Sequence, residues 1–151
     1  MSIENDLDLT GMRAAGAVVR DTLAAMRAAV APGVSTLELD AVAARVFTSA
    51  GARSAPQLVY KFPGVTCISV NDEIVHGIPS AKRKLAEGDL VKLDVTAELN
   101  GYMADAAITV PVGSIDPATQ RLIDVTERSL EAGIAQAVVG NYVGDIGHAI
   151  Q

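Results

Sequence analysis

Residues 87–107, "EGDLVKLDVTAELNGYMADAA", decide the fold of this chain. Apolar and polar side chains alternate along 90–99, which is the period of a β-strand with one buried face. The Asn-Gly pair at 100–101 is the strongest short signal for a two-residue hairpin turn. Residues 102–112, "YMADAAITVPV", then return as the partner strand. The stretch therefore predicts an antiparallel β-hairpin with one apolar face and one polar face.

The turn fixes which residues face each other across the hairpin. With a two-residue loop, Thr96 lies opposite Asp105, and Asp94 lies opposite Ala107. Asp94 and Asp105 are then diagonal neighbours on the polar face, with backbone positions roughly 7–8 Å apart. Carboxylates at this spacing can turn toward a pair of metal ions about 3.5–4 Å apart, and Thr96 is placed to hydrogen-bond a ligating carboxylate. The alternative is two solvated aspartates, and the pattern alone leaves both readings open.

Two histidines and one cysteine complete the candidate reactive groups. His76 stands in "NDEIVHGIP" (71–79) and reads either as a loop residue or as a proton donor and acceptor, since an imidazole pKa is about 6.5. His148 has no carboxylate or histidine at metal-ligand spacing and is expected to be structural or exposed. Cys67 has no basic neighbour strong enough to activate its thiol, so we expect a buried small apolar residue.

Helical patterns flank the hairpin on both sides. Apolar residues recur at helical spacing over 10–30, and "APG" ends that pattern. Ser35 with Glu38 has the form of a capping box and opens a second helix through residue 50. Asp116 followed by proline predicts the start of a third helix. The chain is therefore expected to have an α+β fold.

The predicted organisation is one incomplete domain over 1–151. Its parts are a flexible N-terminus over 1–9, a helical pair over 10–50, a β region over 52–112, and further helices over 116–151. Within the β region, short β-type runs at 58–60, 65–70 and 73–79 precede the hairpin. A long helix, a glycine link and a second helix occur at 10–50 and begin again at 117–151, which indicates either an internal repeat or a small αα-β-αα domain.

Composition restricts the classes of partner. Half of the residues are hydrophobic (50%) and 20% are charged, as in packed globular proteins. The net charge of −6 leaves no basic stripe for phosphates, so no nucleic-acid partner is expected. Charged residues interrupt the apolar N-terminal segment, so no membrane span is expected. The single cysteine fits a reducing compartment, and a cytoplasmic location is expected.

Four motifs resemble the type I methionine aminopeptidases, of the creatinase/prolidase "pita-bread" superfamily. They are "APGVSTLELD" (31–40), "CISVNDEIVHGIP" (67–79), the hairpin (87–107) and "VGDIGHAIQ" (143–151). The resemblance covers nearly the whole chain. It implies the N-terminal part of a pita-bread fold, in which two related halves surround a pseudo-two-fold axis.

The resemblance also implies roles for individual residues. Asp94 is similar to the aspartate that chelates one metal ion, Asp105 to the aspartate that bridges two, and Thr96 to a threonine that supports them. His76 matches an active-site histidine near the scissile amide. The pocket for the substrate's methionine side chain is implied at Tyr60, Phe62 and Cys67.

The implied activity is the removal of the N-terminal methionine from nascent proteins. The implied cofactors are two divalent metal ions (Co, Mn, Fe or Zn), and the implied partners are nascent polypeptides beginning with Met and the ribosome. The family takes its remaining ligands, one histidine and two glutamates, from segments with no counterpart here. Two of five ligands predict little activity for this chain alone. The alternatives are a non-catalytic binding or scaffolding domain, and complementation by a separate chain.

Overall fold

The computed structural model describes residues 3–151. The chain divides into two compact units, one ending at Ser114 and one spanning Ile115–Gln151. The first unit contains α1 (Asp6–Ala29), α2 (Thr36–Ala50), β1 (Arg53–Ser54), α3 (Ala55–Tyr60), β2 (Cys67–Val70), β3 (Leu90–Leu99) and β4 (Tyr102–Pro111). The second contains α4 (Pro117–Gln136) and α5 (Val143–Ile150).

The predicted hairpin forms the centre of an antiparallel sheet. Strand β3 pairs with β4 along one side and with both β2 and β1 along the other. Thr96 is paired with Asp105 and Asp94 with Ala107, which confirms the predicted register. The turn residues Asn100 and Gly101 have φ of 52° and 89°, as a hairpin turn of this length requires.

The apolar face of β3 packs against the hydrophobic core. Val91, Leu93, Val95 and Ala97 are fully buried beneath apolar side chains from α1 and α2. Burial on one face only leaves the opposite face of the hairpin available to polar residues. The alternation in the sequence is thus confirmed, with one exception.

The exception is Glu98, which the alternation places on the polar face but which is buried. Its carboxylate accepts hydrogen bonds from Arg53 Nε at 2.6 Å and from the Gly101 amide at 2.6 Å. These contacts compensate the burial of the charge. They also attach β1 and the hairpin turn to the end of β3.

Helix α1 begins earlier than predicted. The Asn5 side chain accepts hydrogen bonds from the Leu7 and Asp8 amides and caps the helix, so 6–9 is helical rather than flexible. The Tyr102 hydroxyl then donates to Asp8 Oδ1 at 2.9 Å, which joins this first turn to β4. Residues 1–2 of the predicted flexible segment lie outside the described residues.

Two of the three predicted β-type runs are wrong. Residues 58–60 belong to helix α3. Ser54 caps the first turn of this helix, and Pro56 lies within that turn, where proline is tolerated. Residues 73–79 form a loop rather than a strand. Only 65–70 contains a strand, β2.

The remaining helix signals are confirmed. Ser35 and Glu38 form the predicted capping box of α2, and Asp116 caps α4. In the second unit Gly133 lets α4 and α5 pack closely, since a Cβ there would lie 2.8 Å from Ile150 Cδ1. Among residues 3–151, no helix combines the length and apolar content needed to cross a bilayer.

Candidate metal centre

The polar face of the hairpin forms one wall of a cavity of about 560 Å³. The other walls come from α3, the segment after it, the start of β2 and the 71–79 loop. Every site residue predicted from the sequence lines this cavity: Tyr60, Phe62, Cys67, His76, Asp94, Thr96 and Asp105. The structure therefore brings residues up to 45 positions apart in the sequence, from Tyr60 to Asp105, around one cavity.

Asp94 and Asp105 approach each other on this face. Burial raises the pKa of the Asp94 carboxyl, and the negative charge of Asp105 raises this pKa further. Thr96 Oγ1 donates a hydrogen bond of 2.9 Å to Asp105 Oδ1. The pair thus concentrates negative charge at the cavity wall, where a cation would relieve it.

The carboxylate pair fits part of a divalent-metal site. Carboxylate oxygens are hard ligands that suit such cations, and Thr96 restrains one of them. Among residues 3–151, however, no group of three or more His, Cys, Asp or Glu side chains has the arrangement needed to hold a metal ion. The described residues therefore provide a partial ligand set.

His76 also lines the cavity, and its neighbour Gly77 fixes the backbone there. The Gly77 carbonyl accepts from the Ile68 amide at 2.9 Å, and the Gly77 amide donates to Ser69 Oγ at 3.0 Å. A Cβ on Gly77 would lie 2.1 Å from the Ile68 carbonyl oxygen, so only glycine allows this approach to β2. His76 itself has φ of 58°, a left-handed conformation that is uncommon outside glycine and is often found at functional sites.

The start of the same loop is fixed by Asn71. Its side chain accepts from the Leu90 amide at 2.9 Å and donates to Asp89 Oδ1 at 2.8 Å. Asp89 Oδ2 in turn accepts from the Ala86 amide at 2.8 Å. The loop that carries His76 is therefore anchored at both ends to the sheet.

Cys67 and Phe62 provide the apolar part of the wall. Cys67 is buried, as predicted, and desolvation together with the nearby carboxylates of Asp94 and Asp105 raises the pKa of its thiol to about 11. The thiol is therefore neutral near pH 7 and acts as a small soft apolar group. Tyr60 is 80% exposed and lies at the mouth of the cavity.

Four further residues line the cavity but were missed by sequence reasoning: Ala55, Pro56, Val59 and Met103. The first three lie on α3, of which the sequence pattern misread residues 58–60 as a β-type run. Met103 lies two residues before Asp105 on β4, so the alternation that placed Asp105 also identifies Met103. His148 is exposed on α5, as predicted.

A family model described as metallopeptidase family M24 matches residues 10–151. The chain is 48% identical over 144 residues to a protein named methionine aminopeptidase 1 from Mycobacterium tuberculosis, covering 95% of this chain and 54% of the relative. The chain thus spans roughly half to three-fifths of the length of the curated relatives it matches.

Solved structures agree with this coverage. A methionine aminopeptidase from Rickettsia prowazekii superposes with a TM-score of 0.92 at 39% identity, over 100% of this chain and 60% of that one. A methionine aminopeptidase from Thermotoga maritima gives 0.96 at 32% identity, over 100% and 61%. The predicted α+β class and the N-terminal part of a pita-bread fold are confirmed.

Proposed function

We propose a function for this chain on the basis of its family, because the chain belongs to metallopeptidase family M24. The activity is removal of the N-terminal methionine from nascent proteins, with this chain contributing one part of the active site. The observation that carries the proposal is the Asp94–Asp105 pair, supported by Thr96, in a cavity that His76 also lines. The similarity to proteins named methionine aminopeptidase supports the choice of substrate.

The family implies a divalent metal cofactor, and we assign two ions to the centre. Asp94 and Asp105 would hold the metal through their carboxylate oxygens, and Thr96 restrains the Asp105 carboxylate through its hydroxyl. When bound, the ions polarise the scissile carbonyl and activate water for hydrolysis. Cobalt, manganese, iron and zinc all accept this oxygen-ligand chemistry.

His76 acts on the substrate rather than on the metal. Its left-handed backbone and the fixed Gly77 present the imidazole to the cavity, where it donates a hydrogen bond or a proton near the scissile amide. Phe62 and Cys67 contact the methionine side chain, because aromatic and thiol groups suit a thioether. Tyr60 borders the same pocket at its mouth.

The partners are polypeptide N-termini that begin with Met, presented at the ribosome in the cytoplasm. For the chain alone we expect little turnover, because two carboxylates leave most metal coordination positions to water. A second candidate function, a non-catalytic binding or scaffolding domain, is favoured by the lack of a three-ligand group within residues 3–151.

Fusion to a relative separates these functions. Residues 1–151 are joined to the part of the Mycobacterium tuberculosis relative that this chain does not span, and release of methionine from Met-Ala-Ser is measured with Co²⁺ or Mn²⁺. We expect the fusion to hydrolyse the peptide, Asp94→Asn or Asp105→Asn to abolish hydrolysis, and His76→Ala to lower kcat about 10²-fold or more. Asp21→Asn, at an exposed carboxylate on α1, is the control and should retain activity.

Two results would contradict the proposal. One is a folded fusion that binds metal but releases no methionine, which would favour the binding domain. The other is turnover by the 151-residue chain alone at the level of the fusion, which would show that the described carboxylates need no further ligands.

A further inference from the structure

Asp40 is a buried carboxylate that the proposed chemistry does not use. It lies on α2 with 6% of its surface exposed, on a helix that contributes no residue to the cavity. Its Oδ1 accepts from the Thr66 amide and the Thr66 hydroxyl, both at 2.8 Å. Its Oδ2 accepts from the Val65 amide at 3.1 Å. Three donors thus satisfy both carboxylate oxygens.

The donors belong to the irregular segment 61–66, which joins α3 to β2. This segment has no strand partner, so its backbone depends on side chains for hydrogen bonds. The Val65 amide donates to Asp40, and the Val65 carbonyl accepts from Ser54 Oγ at 2.6 Å. Both the amide and the carbonyl of Val65 are therefore hydrogen-bonded, two residues before Cys67 in the cavity wall.

The segment controls two parts of that wall. Phe62 lies within it and Cys67 follows it directly, and both line the cavity. Gly64 packs so closely on Pro79 that a Cβ would lie 2.7 Å from the proline Cδ. Pro79 is three residues beyond His76, so the segment also supports the loop that carries the imidazole.

We propose that Asp40 is a positioning residue, which sets the place of Phe62 and Cys67 in the cavity wall through the Val65 and Thr66 amides. A charged acceptor makes stronger hydrogen bonds than a neutral one, and losing it leaves buried donors unpaired. The wall's role in holding a methionine side chain rests on the proposed function, but the positioning itself does not.

The test uses Cys67, the only cysteine in the chain, as a reporter of the wall. Its alkylation by iodoacetamide is measured in the full 151-residue chain, without metal or substrate, at several low urea concentrations. Asp40→Asn and Asp40→Ala remove the same charge, so they affect the thiol equally, but only asparagine keeps an acceptor. We expect Asp40→Ala to react about tenfold faster than Asp40→Asn, with a rate that does not change with urea.

Val42→Ala is the matched control, since Val42 is on the same helix and packs on the core but supplies no hydrogen bond to the segment. It should accelerate alkylation only through urea-dependent global unfolding. If Asp40→Ala behaves like Val42→Ala, or reacts no faster than Asp40→Asn, Asp40 is merely a stability residue and the proposal is wrong.

If Asp40→Ala does not fold, amide hydrogen exchange in the unsubstituted chain tests the proposal instead. The Val65 and Thr66 amides should exchange hydrogen as slowly as the paired amides of β2, although neither lies in a strand. Exchange at the rate of an open loop would overturn the proposal. Neither measurement involves hydrolysis, so a failure here is distinct from a failure of the proposed function.

Discussion

Thr96 lies directly opposite Asp105 across the β3–β4 hairpin, and its hydroxyl donates a 2.9 Å hydrogen bond to the Asp105 carboxylate. The bond occupies one lone pair of Oδ1 and restrains the side chain, so the other oxygen can face the cavity in a defined direction. Support of this kind commonly contributes about 10–100-fold to metal affinity.

Thr96→Val should therefore weaken metal binding while keeping the shape of the side chain. We expect the affinity for Mn²⁺ to fall about tenfold, measured by isothermal titration calorimetry. Thr96→Ser keeps the hydroxyl and should bind close to the original affinity. Equal binding by the valine and serine variants would show that the hydrogen bond does not support the ligand.

Asp94→Asn should stabilise the metal-free chain near neutral pH. Burial and the charge of Asp105 raise the pKa of Asp94 above its ordinary 3.8, so the folded state holds this proton more tightly than the unfolded state. The resulting stability is present below pH 3.8 and is lost as pH rises through the folded-state pKa. The urea midpoint of Asp94→Asn should thus exceed the original at pH 7, and the gap should close in acid.

Asp89→Asn provides a control of opposite sign. Hydrogen bonds from the Ala86 amide and the Asn71 side chain lower the pKa of Asp89, so its carboxylate stabilises the fold above pH 3.8 and loses that effect as pH falls. This variant should have the lower urea midpoint at pH 7. If Asp94→Asn were less stable than the original chain at pH 7, the charge of Asp94 would not destabilise the folded state, and the prediction would be wrong.

Gly77→Ala should disrupt the attachment of the His76 loop. The added Cβ would meet the Ile68 carbonyl oxygen at 2.1 Å, and neither backbone can move without losing the Ile68–Gly77 hydrogen bond. We expect the free energy of unfolding to fall by about 2–3 kcal/mol in urea titrations. Ile78→Ala, at a neighbouring side chain that is 60% exposed, should change it by less than about 0.5 kcal/mol.

Two glycines with open space around them should respond in opposite directions to alanine. Gly101 has φ of 89° in the hairpin turn, so alanine should cost about 1–2 kcal/mol of folding free energy through backbone strain alone. Gly16 lies inside helix α1 without positive φ, and alanine there should stabilise by about 0.5–1 kcal/mol. Shifts of the same sign in thermal unfolding would refute this reading of the turn.

The hairpin was predictable because its determinants are local. The period-two alternation and the Asn100-Gly101 turn together fix the register, and the register places Asp94, Thr96 and Asp105 on one face. The helix caps at Ser35 and Asp116 are local in the same sense. The roles of these residues came from the family resemblance and not from the pattern, which also fits two solvated aspartates.

The misread parts depend on contacts that no local pattern encodes. Residues 58–60 have strand-type side chains, but Ser54 and Pro56 start a helix before them. The burial of Glu98 depends on Arg53, 45 positions away. Asp40 reads as an ordinary polar position on α2, and its partners are 25 and 26 residues further along the chain.

The central claim is that Asp94 and Asp105 together hold divalent metal in this chain. Titration of Mn²⁺ into the 151-residue chain, followed by electron paramagnetic resonance of the free ion, tests it most directly. We predict that Asp94→Asn combined with Asp105→Asn weakens binding at least about tenfold, whereas Asp21→Asn leaves it unchanged. Equal Mn²⁺ binding by the double variant and the unsubstituted chain would contradict the claim.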